Sequence, residues 1–227
     1  MGDKMIGHLE EKIKQLKPFH EVDSIPDLYS WTEFENLINL RPFMTSKRVN
    51  ILNKETYKWD NAHWMLDVNT FPPVIIQDIL PNYMGYLTDC SRINSKVNTI
   101  CAQLDVFTNA ASDAHMFFNL VNHNEEQGFG IHSDVSHNLI VQVEGSTRME
   151  VWDIVDKDEI GNIKNIPTDP IIDVTLNPGD LVFVPKRYWH KATSKTKRLS
   201  ISFPCQPDLD ISKIQQRYWI NVAKLVG

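Results

Sequence analysis

His132-Ser133-Asp134 places an imidazole and a carboxylate two residues apart, just after Gly128-Phe129-Gly130 and just before an alternating apolar run. In an extended chain, side chains at i and i+2 share a face, so the two groups can reach one ion. A third donor would complete a two-histidine, one-carboxylate set, and His190, behind Pro185-Lys186-Arg187-Tyr188-Trp189, is the candidate. Two neutral imidazoles and a carboxylate suit a divalent ion of intermediate softness such as Fe(II), and three ligands leave coordination positions open for chemistry. A structural zinc site would be closed by a fourth protein ligand, and none is evident. His115, His123 and His137 are read as structural, while His8, His20 and His63 have no identifiable partners in the sequence.

The elements that must position these groups are short. From Ile100 onward, runs over Ile100–Phe107, Ala114–Val121, Asn138–Val143, Arg148–Ile154, Ile171–Leu176, Leu181–Val184 and Arg198–Phe203 alternate in part and are separated mostly by Asn, Gly or Pro breaks, which is the spacing of a sandwich or barrel. Asn177-Pro178-Gly179-Asp180 is the sharpest turn, proline presetting one dihedral and glycine permitting a positive one. Ahead of the strands, Ile6, Leu9, Ile13 and Leu16 recur at helical spacing and predict an amphipathic helix over Asp3–Lys17. Thr32-Glu33-Phe34-Glu35 fits a capping box opening a second short helix that ends before Pro42. The aromatic-rich stretch from Tyr57 to Leu80 reads as core packing in short strands and turns. Asp208–Val226 returns to helical spacing, with Ile211, Ile214, Tyr218, Val222 and Leu225 on one stripe.

At 227 residues with 42% hydrophobic content, the chain can bury a substantial core, and it is read as one domain. Residues 1–99 form an N-terminal helical and mixed scaffold, 100–205 an all-β core and 206–227 a C-terminal helix. The net charge of −6 argues against a nucleic-acid binder driven by overall charge. Six basic residues between Lys186 and Arg198 could still steer an anion, although such a run more often makes a solvated loop. The acidic stretch from Asp153 to Asp169 reads as a hairpin excursion or a lid. Cys90, Cys101 and Cys205 leave one cysteine over and show no paired metal spacing, which points to a reducing compartment, the cytoplasm by default. No run of eighteen apolar residues occurs, so no membrane span is expected.

Asn119-Leu120, Gly128-Phe129, His132-Ser133-Asp134, Gln142-Val143-Glu144-Gly145, Leu176-Asn177-Pro178-Gly179-Asp180 and Trp189-His190 follow one another in an order that resembles the JmjC and cupin-like Fe(II)/2-oxoglutarate oxygenases. Within them the pattern is most similar to the ribosomal-oxygenase group. The resemblance covers Asn119 to Phe203. It implies a double-stranded β-helix of jelly-roll, cupin-like type, flanked by N- and C-terminal helices, in which His132, Asp134 and His190 hold Fe(II). It further implies that 2-oxoglutarate is decarboxylated to succinate while a substrate C–H bond is hydroxylated.

The clamp for 2-oxoglutarate departs from that pattern. Related enzymes carry a lysine two residues beyond the Q-x-E-G motif, where this chain has Thr147. Arg148 is adjacent, but strand alternation sends it to the opposite face. Arg198-Leu199-Ser200 resembles an R-x-S element that other 2-oxoglutarate oxygenases use, and period two puts Arg198, Ser200 and Ser202 on one face with Leu199, Ile201 and Phe203 on the other. A guanidinium pairs well with a carboxylate, so Arg198, with Thr147, Ser200 and Asn119, is read as the cosubstrate site; the other reading of Arg198 is a solvated residue ending the basic loop, and Asn119 is equally a satisfied core amide. Arg187 is a second departure, standing where relatives often have glycine.

Three functions fit these residues: an Fe(II)/2-oxoglutarate-dependent hydroxylase, a cupin-type metalloprotein that does not use 2-oxoglutarate, and a binding module that has lost turnover. The substrate class stays open between a protein side chain, an RNA base and a small molecule, and the C-terminal helix could pair two copies of the chain.

Overall fold

The computed structural model describes residues 5–38, 49–53, 58–61, 83–120, 122, 126–128, 130–153 and 169–206. The strands alternate polar and apolar side chains between turns, and among the described residues they form two antiparallel sheets. The larger sheet contains β1 (Phe19–Glu21), β2 (Val49–Asn53), β3 (Lys58–Asn61), β4 (Tyr83–Leu87), β5 (Ala111–Ser112), β6 (His115–Asn119), β9 (His137–Glu144), β12 (Leu181–Val184) and β14 (Arg198–Gln206). The smaller contains β7 (Gln127–Gly128), β8 (His132–Ser133), β10 (Thr147–Trp152), β11 (Ile172–Leu176) and β13 (Trp189–Ser194). The path runs β1-β12-β9-β14-β6-β4-β2-β3 in the larger sheet and β11-β10-β13-β7 in the smaller. Consecutive strands β9 and β10 lie in different sheets, as a double-stranded β-helix requires.

Two-residue periodicity sorts the larger sheet into two faces. Leu139, Val141, Phe183, Leu199, Ile201 and Phe203 turn outward and pack with Ile6, Leu9, Ile13, Val97, Ile100 and Leu104 from the helical layer in one buried cluster. The opposite face meets the smaller sheet, where Val182 and Val184 join Met149, Val151 and Leu176. That inner face also carries Arg198, Ser200 and Ser202, so the space between the sheets is apolar at one end and polar at the other.

Tight turns fix the register. Gly145 joins β9 to β10 at φ +66°, and a Cβ there would lie 2.0 Å from the Lys197 carbonyl oxygen. Gly179 takes φ +94° in the Asn177–Asp180 turn, where Asn177 N donates to Asp180 Oδ2 at 2.8 Å and Asp23 N donates to Asp180 Oδ1 at 2.9 Å. The Asp180 carboxylate thus ties the N-terminal segment to the core.

Several sequence expectations are corrected. The strand expected over Ile100–Phe107, and with it a core beginning at residue 100, is replaced by helix α3 (Ser95–Thr108). Asn94 Oδ1 caps it by accepting from Val97 N at 2.8 Å, and its buried residues Val97, Ile100, Cys101 and Leu104 follow helical spacing. The long N-terminal helix is reduced to a 3-10 turn (Gly7–Leu9) and α1 (Glu10–Lys14), ending where Leu16 adopts φ +51°. The second helix, α2 (Trp31–Ile38), is opened by Ser30 rather than Thr32. Ser30 Oγ accepts from Glu33 N at 3.2 Å and Glu33 Oε2 accepts from Ser30 N at 2.8 Å, a reciprocal capping box. Most of the Tyr57–Leu80 stretch, the body of the Asp153–Asp169 excursion and the Asp208–Val226 helix lie outside the described residues.

Candidate metal centre

β8 is two residues long and pairs with β13 so that His132 lies opposite His190. Their rings sit with centroids 4.3 Å apart. Asp134 follows β8, and its Oδ2 is 3.6 Å from His190 Nε2. One ligand atom from each of His132, Asp134 and His190 falls within 4.8 Å of the others, and among the described residues no fourth His, Cys, Asp or Glu joins them.

Both imidazoles are oriented by backbone carbonyls two residues earlier. His132 Nδ1 meets the Gly130 carbonyl oxygen at 2.8 Å and His190 Nδ1 meets that of Tyr188 at 3.2 Å. Donation from Nδ1 leaves each Nε2 lone pair for an ion. His190 is deeply buried, and burial followed by repulsion from His132 pushes its imidazole down to about 4. It is therefore neutral at physiological pH, as a ligand must be. Asp134 Oδ2 accepts from Asn138 Nδ2 at 2.6 Å, and Ser136 Oγ donates to Asn138 Oδ1 at 3.2 Å. Asn138 thereby fixes the carboxylate from the head of β9, and the Asp134 carbonyl is held in turn by Arg187 N at 2.8 Å.

Behind the three ligands lies a recess of about 60 Å³ whose lining includes Thr147, Arg198, Ser200 and Ser202. Arg198 is 2% exposed, which removes the solvated-loop reading. Its Nη1 donates to Thr147 Oγ1 at 2.9 Å and its Nη2 lies 3.7 Å from Met84 Sδ, while Nε has no partner among the described residues. Burial alone pushes the guanidinium down to about 10, so it stays cationic at neutral pH. Among the described residues no carboxylate pairs with it. Ser200 Oγ lines the same recess and donates to Gln142 Oε1 at 2.8 Å.

Arg148 points the other way, with Nε and Nη2 each 2.9 Å from the two oxygens of Asp173 on the outer face. Asn119 lies opposite Arg198 in the β6–β14 register. It is fully buried with both amide atoms unpartnered among the described residues, yet it is not among the residues lining the recess. Of the basic residues from 186 to 198, only Arg198 lines the recess.

Two residues read differently from sequence take part in or border the site. Asn138 reads from sequence as part of an apolar strand, although its position four residues after Asp134 and at the polar start of that strand is a usable signal. His115 reads as structural but lines the cavity in front of the triad, with Tyr86 beside it. His137 does hold a structural place, its Nδ1 accepting from Lys186 N at 3.1 Å.

Comparison with known proteins gives the same picture. The JmjC domain matches residues 91–209, more than half of the chain. The bifunctional lysine-specific demethylase and histidyl-hydroxylase NO66 of Drosophila persimilis is 26% identical over 133 residues, covering 57% of this chain and 18% of that protein. Its counterpart from Drosophila mojavensis is 25% identical over 183 residues, covering 71% of this chain and 20% of that protein. The chain thus spans about a fifth of the length of these curated relatives. Among solved structures, Escherichia coli ycfD superposes with a TM-score of 0.60 at 18% identity, over 87% of this chain and 51% of that one. The same ribosomal oxygenase in complex with cobalt and 2-oxoglutarate gives 0.56 at 16% identity, over 93% and 54%. At such identities the superposition speaks for a shared fold, a JmjC-type double-stranded β-helix. With a family match over more than half its length, the chain belongs to the JmjC domain family.

Proposed function

We propose that this protein is an Fe(II)/2-oxoglutarate-dependent hydroxylase, with His132, Asp134 and His190 as the metal ligands and Arg198 as the cation that receives the distal carboxylate of 2-oxoglutarate. One observation carries the reading. A fully buried guanidinium without a carboxylate partner among the described residues faces the same recess as an open two-histidine, one-carboxylate cluster. An isolated buried cation costs several kcal/mol in order of magnitude, and an anionic ligand entering the recess offsets that cost.

The donor set fits a first-row divalent metal with open coordination positions. When bound there, Fe(II) would let dioxygen act as the oxidant, one oxygen atom going into the succinate formed as 2-oxoglutarate loses carbon dioxide and the other converting a substrate C–H bond to C–OH. The protein's residues do the remainder. Gly130 and Tyr188 carbonyls hold the imidazoles in the tautomer that exposes Nε2. Asn138 orients the Asp134 carboxylate, and Thr147 aims the Arg198 fork into the recess. Ile140, Met149 and Ala192 line the same recess with apolar surface, which limits water around the charged groups. Ser200 is tethered to Gln142 and adds a hydroxyl beside the fork.

The NO66 relatives and YcfD are described as acting on lysine or histidyl groups and on the ribosome, respectively. For this chain a protein side chain is accordingly the favoured substrate class. No described helix is long and apolar enough to cross a membrane. The three cysteines are all buried and none is in a disulfide, which supports placement in the reducing cytoplasm. Pairing of two copies through residues 208–226 stays part of the proposal. The test is succinate formation from 2-oxoglutarate. It should require Fe(II) and oxygen and be lost in Asp134→Ala; 2-oxoglutarate that neither binds nor turns over in metal-loaded protein would favour a cupin-type or non-catalytic role.

A further inference from the structure

A cavity of about 340 Å³ shares no lining residue with the recess or with the cavity in front of the triad. It lies between the segment Ile25–Ser30, with Glu33 of α2, and the stretch Gln142–Glu144 beside the Pro178-Gly179 turn. Its walls are pinned to one another. Ser24 N and Ile25 N both donate to the Gly179 carbonyl oxygen at 3.0 Å, and Gly179 N donates to that of Gln142 at 3.0 Å. Asn94 Nδ2 holds the Leu28 carbonyl oxygen at 3.2 Å. The cavity is therefore preformed, as small-ligand sites usually are.

The lining carries one sign of charge. Asp27, Glu33 and Glu144 contribute carboxylates, and no lysine, arginine or histidine lines the cavity among the described residues. Groups at the start of α2 take one oxygen from each glutamate. Glu33 Oε2 accepts from Ser30 N at 2.8 Å and from Ser30 Oγ at 2.7 Å, and Glu144 Oε1 accepts from Trp31 N at 3.4 Å. Glu33 Oε1, Glu144 Oε2 and the Asp27 carboxylate have no partner among the described residues. Lys96 donates to the Asp27 carbonyl oxygen and Lys197 Nζ stands 3.8 Å over the Trp31 ring, so neither forms an ion pair with these carboxylates.

Tyr29 points to a ligand independently of the charges. It is 8% exposed and belongs to the buried cluster that holds Leu28, Phe34 and Val97. It also lines the cavity, and its hydroxyl has no hydrogen-bond partner among the described residues. Burial first, then the nearby Glu33, pushes the phenol well above its usual range. Its oxygen is thus a neutral hydroxyl with lone pairs to offer beside an anionic carboxylate. Ile25, Leu28 and Pro178 add apolar wall.

Spare carboxylate oxygens and a phenol oxygen call for a cation that only donates. A metal ion fits poorly, because among the described residues only His132, Asp134 and His190 bring three His, Cys, Asp or Glu ligand atoms close enough to share one. A quaternary ammonium would need several aromatic faces, and Tyr29 is the one aromatic residue on the described lining. A guanidinium keeps its donors in one plane, whereas an alkylammonium directs them from a point and lays its methylenes on apolar surface. We infer that this cavity is a second ligand site, which binds the primary ammonium end of a linear amine between Tyr29 Oη and Glu33 Oε1 with the methylene stem against Ile25 and Leu28. The amine is a free diamine or the side chain of a protein lysine. The site stands independently of the oxygenase reading.

The experiment follows backbone amide shifts of the full chain, loaded with diamagnetic Zn(II), during titration with n-butylamine, diaminobutane, N-acetyl-lysine amide, butylguanidine, butyltrimethylammonium, butanol and Ca(II). The primary amines are expected to bind saturably and to shift the amides of Leu28, Ser30 and Gly179. Butylguanidine should bind more weakly, and butyltrimethylammonium, butanol and Ca(II) should leave those amides in place. Tyr29→Phe, which keeps the ring, should weaken n-butylamine by about threefold to tenfold. Glu33→Gln, whose amide oxygen can still cap α2, should weaken it by about tenfold. Glu11→Gln, which removes a carboxylate from α1, controls for net charge and should change nothing. Diamine bound more tightly than N-acetyl-lysine amide assigns the site to a free amine, and the reverse order assigns it to a protein lysine. Four results overturn the site: no saturation by any amine below about 10 mM, shifts confined to Gly130–Asp134, butyltrimethylammonium or Ca(II) bound as well as n-butylamine, or wild-type affinity in both Tyr29→Phe and Glu33→Gln. The probe ranking in the wild-type chain decides even where a variant fails to fold.

Discussion

Arg198 Nη1 donates to Thr147 Oγ1 across 2.9 Å, and this bond ties β14 of the larger sheet to β10 of the smaller one. The resemblance to related enzymes puts a lysine at the Thr147 position. In the proposed site the positive charge comes instead from Arg198 on the facing strand, and the shorter Thr147 hydrogen-bonds to it. On the proposed reading, the threonine at 147 and the buried arginine at 198 are one compensated change.

Arg198→Ala is expected to weaken 2-oxoglutarate binding by about a hundredfold, because leaving a buried carboxylate without its partner costs about 3 to 5 kcal/mol, partly relieved by water entering the site. Metal affinity should stay near wild type. Arg148→Ala, on the outer face against Asp173, serves as the control and should bind 2-oxoglutarate normally. Calorimetric titration of Mn(II)-loaded protein reads both.

Moving the cation back tests the exchange of strands. Thr147→Lys combined with Arg198→Ala should recover a measurable part of the lost 2-oxoglutarate affinity. Thr147→Lys alone should lower the thermal midpoint, since two cations would then share one recess. A double variant no better than Arg198→Ala would show that position 147 cannot reach the carboxylate.

Asn138 Nδ2 donates to Asp134 Oδ2 and so holds one ligand in place. Asn138→Ala should weaken Mn(II) affinity by about tenfold to a hundredfold, the range typical of groups that orient a metal ligand. His132→Ala, Asp134→Ala and His190→Ala should each cost much more. Metal retained after dialysis ranks the four variants, and an Asn138→Ala protein that keeps metal like wild type removes the orienting role.

Much of this was legible in sequence because it is local. The i, i+2 spacing of His132 and Asp134 and the order of the Gly145, Pro178-Gly179 and Trp189-His190 signals needed no tertiary information. Alternation put Arg198 with Ser200 and Ser202, and the two faces of β14 separate in that way. Burial of Arg198 was not legible, since it depends on β10 closing over it. Tyr86 and His115 are 29 residues apart and meet only through β4–β6 pairing, which no local pattern encodes. The Ile100–Phe107 run alternates like a strand when taken without its upstream cap, Asn94, which makes it part of a helix, and Thr32–Glu35 and Ser30–Glu33 both resemble a capping box, of which only the second forms.

Arg187 adopts φ +72° at the position where relatives often carry glycine. A non-glycine residue in that region is strained, while its N–H still supports the Asp134 carbonyl. Arg187→Gly is therefore expected to stabilise the protein by up to about 1 kcal/mol after the entropy cost of glycine, with unchanged metal affinity. Urea midpoints at constant slope check it, and a destabilised variant would mean that the Arg187 side chain contributes more than its backbone costs.

The most direct measurement is the electron density of a crystal grown with Mn(II) and 2-oxoglutarate under anaerobic conditions. The expected result is metal density bounded by His132, Asp134 and His190, with the distal carboxylate of 2-oxoglutarate hydrogen-bonded to the Arg198 guanidinium beside Thr147. Density for the carboxylate at Arg148, at Lys191 or in the Tyr86 cavity, with Arg198 left unpaired, would contradict it.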